Sequence, residues 1–277
     1  MTDAGNSTGS HFVRATFSIP IGEGALQASA QLPAGNTTLT QLLPIIQNLE
    51  NAIVGKVAQE AAQADRPISC RAGCGACCRQ MVPVSLFEAE ALIEWMQSLP
   101  EERQTDLAER FHRALLALRD AGVIDSILDE RWTLEEERAT QLAIDYFHAG
   151  VPCPFLEDES CSIHPIRPLS CREYLVTSPP ALCQDPSVHQ VAGVQLPLKL
   201  SRVLFAFGQR MEHDRRGWVP LVFLMAWRKS GAKPGDFVSG SGEEVFRKFL
   251  EQVASVARAK DDSTSENTRA EGCESSR

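Results

Sequence analysis

Two stretches near the N-terminus alternate between apolar and polar residues. In "HFVRATFSIP" (11–20) and "ALQASAQLP" (25–33) every second side chain is apolar, a period typical of half-buried β-strands. The intervening "IGEG" (21–24) suits a tight turn. The pattern therefore predicts a β-hairpin over about 11–33, the largest piece of β-structure expected in this chain.

Helical periodicity dominates the remainder of the sequence. Apolar residues recur at three- and four-residue spacings from Leu42 to Val57, which indicates an amphipathic helix. Three pairs have the spacing of a helix capping box: Ser85 with Glu88, Thr133 with Glu136, and Ser241 with Glu244. Helices are predicted over about 40–64, 85–99, 101–120, 133–150, 197–212, 218–229 and 243–259. The expected fold class is mainly α (α+β with a small N-terminal β-hairpin), with irregular cysteine-rich metal-binding loops packed on the helices.

The composition indicates one folded unit with polar ends. A chain of 277 residues with 43% hydrophobic and 23% charged residues can bury a substantial core. We predict a flexible leader at 1–10, a single globular domain over 11–259 whose cysteine core spans about 68–185, and a disordered tail at 260–277.

The charge and hydropathy patterns narrow the choice of partners and compartment. A formal net charge of −9 argues against a general nucleic-acid binder, whose surface would be basic. The sequence has no run of 18 apolar residues, so no membrane partner is expected. Its first ten residues, "MTDAGNSTGS", lack the features of a secretory signal. The expected location is cytoplasmic, where thiols are kept reduced. A protein partner or substrate is compatible with the sequence, which does not identify one.

Cysteine placement is the strongest chemical signal. Of nine cysteines, Cys273 lies in the predicted tail, which would not hold a rigid ligand. The other eight fall in two turn-rich segments, "CRAGCGACC" (70–78) and a proline-rich stretch over 151–190. The candidate metal ligands are Cys70, Cys74, Cys77, Cys78, Cys153, Cys161, Cys171 and Cys183.

Local sequence suggests how each segment folds. Gly73 and Gly75 permit positive φ or close backbone approach, so a compact loop is expected in place of a regular helix. In the second segment Cys153 and Cys161 flank the polar turn "EDES" (157–160), the pattern of a small knuckle that joins two sulfurs. Prolines then stiffen the chain toward Cys171 and Cys183, which lowers the entropy lost when ligands are fixed.

Several chemistries use clustered cysteines. Burial as small hydrophobes suits one or two cysteines but not eight, and disulfides are disfavoured in a reducing compartment. Cys74 and Cys77 have the C-x-x-C spacing of a dithiol redox pair, although Cys70 and Cys78 flank them closely. Metal binding is therefore the favoured interpretation. An iron–sulfur cluster is favoured over zinc because only one C-x2-C pair is present, while both remain open.

The spacing of Cys70, Cys74 and Cys77 is also that of radical-SAM enzymes. Those enzymes are built on a β/α barrel, and the present sequence shows no alternation of strands and helices. An aromatic usually precedes their last cysteine, where this chain has Ala76. We therefore set that resemblance aside.

"CRAGCGACC" followed by "CPFLEDESCSIHPIRPLSCREY" resembles the YkgJ-like cysteine-cluster family, described as a zinc- or iron-chelating domain. The resemblance covers about 68–185 and implies a bound iron–sulfur cluster or zinc. Many relatives carry the label iron–sulfur oxidoreductase, and a flagellin lysine methylase is similar in its cysteine pattern. The motif elements stand at Cys70, Cys74, Cys77, Cys78, Cys153, Cys161, Arg167, Pro168, Cys171 and Arg172.

Other polar residues near the cysteines are secondary candidates. His164 stands where relatives commonly have an aromatic, and it is the histidine best placed to ligate; His148 and His189 are more remote. Arg167 and Arg172 are candidates either for pairing with thiolate charge or for ordinary ion pairs. The acidic stretch 157–159 is interpreted as a solvated turn.

The sequence leaves three functional hypotheses. The first is a metal-binding protein that holds an iron–sulfur cluster or zinc, with a redox-related role among its candidate functions. The second is an iron–sulfur-dependent enzyme, such as a protein lysine methylase. The third is a zinc-stabilised structural or adaptor protein. Catalytic residues and a substrate are not identified by the sequence.

Overall fold

A computed structural model describes residues 11–22, 24–129, 135–185, 190–211, 216–229, 231 and 234–274. Its helices and small antiparallel strand pairs confirm the predicted mainly α class. The helices are α1 (Leu43–Gln63), α2 (Leu86–Gln97), α3 (Glu101–Asp120), α4 (Val123–Leu128), α5 (Glu136–His148), α6 (Leu169–Glu173), α7 (Leu200–Met211), α8 (Leu224–Arg228), α9 (Pro234–Phe237) and α10 (Gly242–Glu274). The strands are β1 (Phe12–Ile21), β2 (Gly24–Pro33), β3 (Asn36–Thr38), β4 (Pro83–Ser85), β5 (Leu156–Glu157), β6 (Ser160–Cys161), β7 (Trp218–Pro220) and β8 (Ser239–Ser241).

The predicted N-terminal hairpin is confirmed. β1 and β2 pair antiparallel from Phe12 opposite Pro33 to Ile21 opposite Gly24. One face of the hairpin packs on α10, where the rings of Phe17 and Phe246 meet edge to face at 4.9 Å. The alternation in the sequence thus reflects a hairpin with one buried face.

Two of the predicted capping boxes are present. Ser85 Oγ accepts the Glu88 N–H at the start of α2, and a Glu88 carboxylate oxygen accepts the Ser85 N–H, each at 3.2 Å. Ser241 and Glu244 form the same reciprocal pair before α10, at 2.9 and 3.3 Å. The third box includes Thr133, which lies outside the described residues. Reciprocal capping satisfies the free N–H groups of the first helical turn and fixes where α2 and α10 begin.

The structure corrects the helix predicted over 218–229. Residues 218–220 form β7, which pairs with β4 so that Val219 lies opposite Val84, and α8 begins only at Leu224. Pro220 lacks an N–H and favours an extended residue before it, which delays the helix.

Two further helix bounds differ from the sequence-based expectation. The short helix α4 was not predicted; it follows Gly122, whose φ of +74° reverses the chain after α3. The last helix continues past the predicted end near residue 259 to Glu274, so its backbone enters the segment for which the sequence predicted disorder. Extending a packed helix costs far less than starting one, which accounts for the continuation.

The hydrophobic core lies on both sides of the cysteine segments. One cluster joins the hairpin with α1, α7 and α10. A second joins α2, α3 and α8 with the residues around β5 and β6. Within the described ranges, no helix combines the length and apolar character needed to cross a membrane.

Candidate metal centre

The first cysteine segment is anchored to the chain that follows Cys171. The Ser69 N–H donates to the Val176 carbonyl at 2.9 Å, and the Ser69 hydroxyl donates to the Ser178 carbonyl at 2.5 Å. The Val176 N–H in turn donates to Cys70 Sγ at 3.4 Å. Gly73 has φ of +83°, as the glycine pattern predicted, so the segment is a loop of successive turns.

The two cysteine segments are in direct contact. The Cys153 N–H donates to the Cys78 carbonyl at 2.7 Å. Gly75 lies so close to the second segment that a Cβ there would be 2.6 Å from the Glu159 carbonyl oxygen. Arg79 adds a two-pronged ion pair with the Glu159 carboxylate, at 2.7 and 3.1 Å. Backbone and side-chain contacts therefore bring together thiols that are about 80 residues apart in sequence.

The predicted knuckle between Cys153 and Cys161 is a two-stranded turn. β5 and β6 pair with Leu156 opposite Cys161, and Asp158 and Glu159 at the tip have φ of +47° and +57°. Phe155, just after Cys153, is fully buried; its ring meets those of Trp95 and Phe111 at 6.2 and 5.5 Å. This aromatic contact fixes the knuckle on α2 and α3.

Cys171 lies on the short helix α6, which buried groups hold in place. The Leu169 N–H at the start of α6 donates to the buried Glu88 carboxylate at 2.7 Å. Glu88 is thus shared between the cap of α2 and the start of α6. A carboxylate that accepts N–H groups at a helix start satisfies donors that the helix cannot pair itself.

Arg172 makes its hydrogen bonds to neutral acceptors. The side chain is buried and donates to the Arg167 carbonyl at 3.0 Å, the Pro165 carbonyl at 2.6 Å and the Asn51 side-chain oxygen at 2.8 Å. These bonds fasten the proline loop to α1, while the charges of carboxylates and of Cys171 act on the guanidinium without a direct hydrogen bond in the described structure. The local sequence gave no sign of Asn51 as a partner, because the two residues meet only in the folded chain.

Six of the eight candidate cysteines line one cavity of about 450 Å³. Cys70 and Cys183 lie beside it, and Cys183 is buried. No set of three or more His, Cys, Asp or Glu side chains within the described ranges is already spaced as metal ligands, so the ligand assignment stays a prediction. The cysteines that line the cavity are Cys74, Cys77, Cys78, Cys153, Cys161 and Cys171.

The adjacent pair Cys77 and Cys78 is polarised. Interaction between the two side chains lowers the pKa of Cys77 to about 7 and raises that of Cys78 well above its usual value. Cys77 is therefore the member of the pair that is most readily a thiolate, the form that binds metals.

Burial opposes ionisation of the thiols in the second segment. Desolvation raises the pKa of Cys153 to about 12 and that of Cys171 well above its ordinary value. The charges of neighbouring cysteines raise both further. Several thiols converging on one partly enclosed cavity are therefore poorly accommodated as anions unless a cation lies among them. A thiolate-binding metal fits this donor set.

Arg167 and His164 also line the cavity. Burial raises the pKa of Cys161 and the positive charge of Arg167 partly offsets that rise; the same charge contributes to the lowered pKa of Cys77, in agreement with the predicted pairing of Arg167 with thiolate charge. Burial, Arg167 and Arg172 lower the pKa of His164, which favours the neutral imidazole that can ligate a metal. His148 lies away from the cavity, 3.9 Å from Asp185, and His189 lies outside the described residues.

The acidic turn at 157–159 is more than a solvated loop. Glu157 pairs with Arg103 on α3, and Glu159 pairs with Arg79. These two arginines were missed in the sequence because nothing local relates them to the turn. Together they clamp the tip of the knuckle to α3 and to the first cysteine segment.

Comparison with known proteins agrees with the cysteine pattern. Residues 69–191 match the CxxCxxCC family model, described as "Putative zinc- or iron-chelating domain". This match confirms the resemblance to the cysteine-cluster family and supports metal binding, without distinguishing zinc from iron. The chain matches neither a curated protein nor a solved structure.

Proposed function

We propose that this chain, whose residues 69–191 carry a zinc- or iron-chelating family domain, holds an iron–sulfur cluster between its two cysteine segments. The observation that carries the proposal is the convergence of six cysteines on one cavity of about 450 Å³. A tetrahedral zinc with Zn–S bonds of about 2.3 Å needs four donors and fills about 50 Å³. Both the number of thiols and the space are larger than a single structural zinc requires.

The candidate ligands divide into two groups. Cys70 and Cys183 lie outside the cavity lining, and burial is the main cause that raises the pKa of each. We assign direct ligation to the lining cysteines and a supporting place to these two. The raised pKa of Cys78 makes it the lining cysteine least suited to bind metal as a thiolate. Cys74, Cys77, Cys153, Cys161 and Cys171 then remain as the preferred donors.

The surrounding residues define what the site can do. When bound, an iron–sulfur cluster supplies one-electron redox chemistry. Arg167 places a positive charge beside the sulfurs and so favours the more negative, reduced state. Apolar residues such as Ile163 and Leu221 also line the cavity and limit water within it. These features support a redox-related role.

Visible spectroscopy of cysteine variants tests the proposal. The full chain, purified without oxygen, should be brown, with a charge-transfer absorption that Cys171→Ser abolishes or strongly reduces. Cys273→Ser is the matched control, because this cysteine lies outside the two segments, and it should keep the spectrum of the parent. Colourless protein with stoichiometric zinc would support the structural alternative, and protein with neither metal would refute both.

An iron–sulfur-dependent enzyme is the second candidate function. The observation that favours it is the extent of the cavity, which continues beyond the cysteines along α7 and leaves space for a substrate. An adaptor held together only by zinc is less well supported. The Cys153–Cys78 hydrogen bond and the Arg79–Glu159 ion pair already join the segments through protein atoms.

A further inference from the structure

The cavity that contains the cysteines has a second wall of different chemistry. This wall comes from α7 and from the extended segment 193–195, and it contains no cysteine. Lys199, which immediately precedes α7, contributes to this wall together with Arg202 and Phe205 from the first turns of the helix. A volume of about 450 Å³ falls within the range of small-molecule sites, about 300–1,000 Å³. The cavity as a whole, cysteine side included, therefore has the size of a small-molecule site.

Positive charge is concentrated around this space. Arg167, Lys199 and Arg202 all line it, and within the part of the chain that the structure describes none of them forms an ion pair with a carboxylate. Glu173 is the acidic residue on the lining, and both of its oxygens accept hydrogen bonds from Ser201, at 2.8 and 2.5 Å. The cavity thus presents cations whose charge the neighbouring side chains do not fully offset.

Two buried polar atoms point to the same conclusion. Arg167 Nε and Ser170 Oγ are buried without a hydrogen-bond partner, and both residues line the cavity. Buried donors are paired in the great majority of native structures, so each such atom calls for a partner that the protein does not itself provide. A ligand with acceptor oxygens would supply one.

Neutralising the cysteine thiolates accounts for only part of the positive charge around the cavity. Arg167 acts on several cysteines, whereas Lys199 and Arg202 act on Glu173, whose carboxylate accepts from Ser201 of α7. Lys199 immediately precedes α7, and Arg202 and Phe205 lie on that helix. The charge of Lys199 and Arg202 is therefore placed beside α7.

We propose that this cavity binds a small organic anion, with its carboxylate or phosphate at Arg167, Lys199 and Arg202 and its apolar part against Phe205 and Leu221. The remaining lining is mostly apolar, with Met81 and Val194 among its members, which suits a ligand that is charged at one end only. The inference extends the proposed function, because it places a ligand next to the metal centre. It stands or falls separately, since the anion site uses none of the cysteines.

Calorimetric titration of the full chain with benzoate and with phenyl phosphate tests this proposal, with uncharged benzamide as the matched compound. At least one anion should bind saturably, and benzamide should not. Lys199→Gln and Arg202→Gln should each weaken binding about tenfold or more, as expected when a charged hydrogen-bonding partner is lost. Arg210→Gln, an exposed position later on α7, should leave the affinity unchanged.

The metal content of each preparation separates this proposal from the proposed function. If the chain purifies without any metal and still binds an anion, the metal centre is refuted and the anion site stands. Metal-loaded protein that binds neither anion with a Kd below about 1 mM would overturn the anion site alone. Equal affinity in the parent, Lys199→Gln and Arg202→Gln would also overturn it. Preference for phenyl phosphate over benzoate, or the reverse, would identify the anionic group.

Discussion

Glu50 makes the stability of this protein depend on pH in an unusual direction. Its side chain on α1 is fully buried; one oxygen accepts the Leu200 N–H at 3.2 Å, and the other has no hydrogen-bond partner. Burial, followed by the negative charge of Glu173, raises the pKa of Glu50 to about 8 from the ordinary value of 4.5. The unpartnered oxygen is the natural position for the proton, so Glu50→Gln imitates the form that the fold prefers.

The size of this pH effect on the free energy of unfolding follows from the difference between the folded and unfolded pKa of Glu50. A carboxyl whose pKa is raised on folding is fully compatible with the fold below pH 4.5, and its stabilising contribution is lost as the pH rises toward 8. Between these values the free energy of unfolding falls by about 1.4 kcal/mol per pH unit. The cost of keeping Glu50 is then about 3 kcal/mol at pH 7 and below about 1 kcal/mol at pH 5. Glu50→Gln should recover these amounts.

Urea unfolding at pH 5, 6, 7 and 8 measures the effect. The parent and Glu50→Gln are compared at equal metal content, so that the pH dependence of metal binding cancels. Glu109→Gln, at an exposed position on α3, is the control and should show a difference that does not change with pH. A Glu50→Gln variant that is less stable than the parent at pH 7, or a difference that does not grow between pH 5 and 8, would refute this reasoning.

Three further predictions concern the cysteine segments. Gly75→Ala should lower metal content and thermal stability, because its Cβ would lie 2.6 Å from a backbone oxygen of the other segment. Gly35→Ala is the control, since nothing lies within 4 Å of a Cβ there, and it should change neither property. Equal effects of the two substitutions would contradict the account. Phe155→Ala should lower the free energy of unfolding in urea by about 3–5 kcal/mol, because the ring is fully buried between two aromatic side chains. A decrease of less than about 1 kcal/mol would show that this contact does not fix the knuckle. In metal-free protein at pH 7.5, iodoacetamide should modify Cys77 before Cys78, because the pKa of Cys77 is about 7 and that of Cys78 is raised. Peptide mass spectrometry shows the order of modification, and the reverse order would contradict the difference in pKa between the two thiols.

Local patterns were enough to predict the elements that depend on local physics. The hairpin over 11–33 follows from period-two alternation, and the boxes at Ser85 and Ser241 follow from a three-residue spacing. The loop at Gly73 and the knuckle before Cys161 were also predicted, since turn residues act within a few positions.

The parts that sequence reasoning missed depend on distant contacts. Residues 218–220 look helical by periodicity, but pairing with β4, far away in sequence, makes them a strand. Arg172 was expected to meet a charge, and its actual partners include Asn51, which is 121 residues away. The cationic wall of the cavity is a similar case, because Lys199 and Arg202 lie at the start of a helix that appears ordinary in sequence. Such contacts form only when separate elements pack together.

The most direct test of the metal centre is the content of iron, acid-labile sulfide and zinc per chain in protein purified without oxygen. The account predicts iron and sulfide in nearly equal amounts, with more than one of each per chain, and little zinc. About one zinc per chain without sulfide, or protein that folds without either metal, would contradict it.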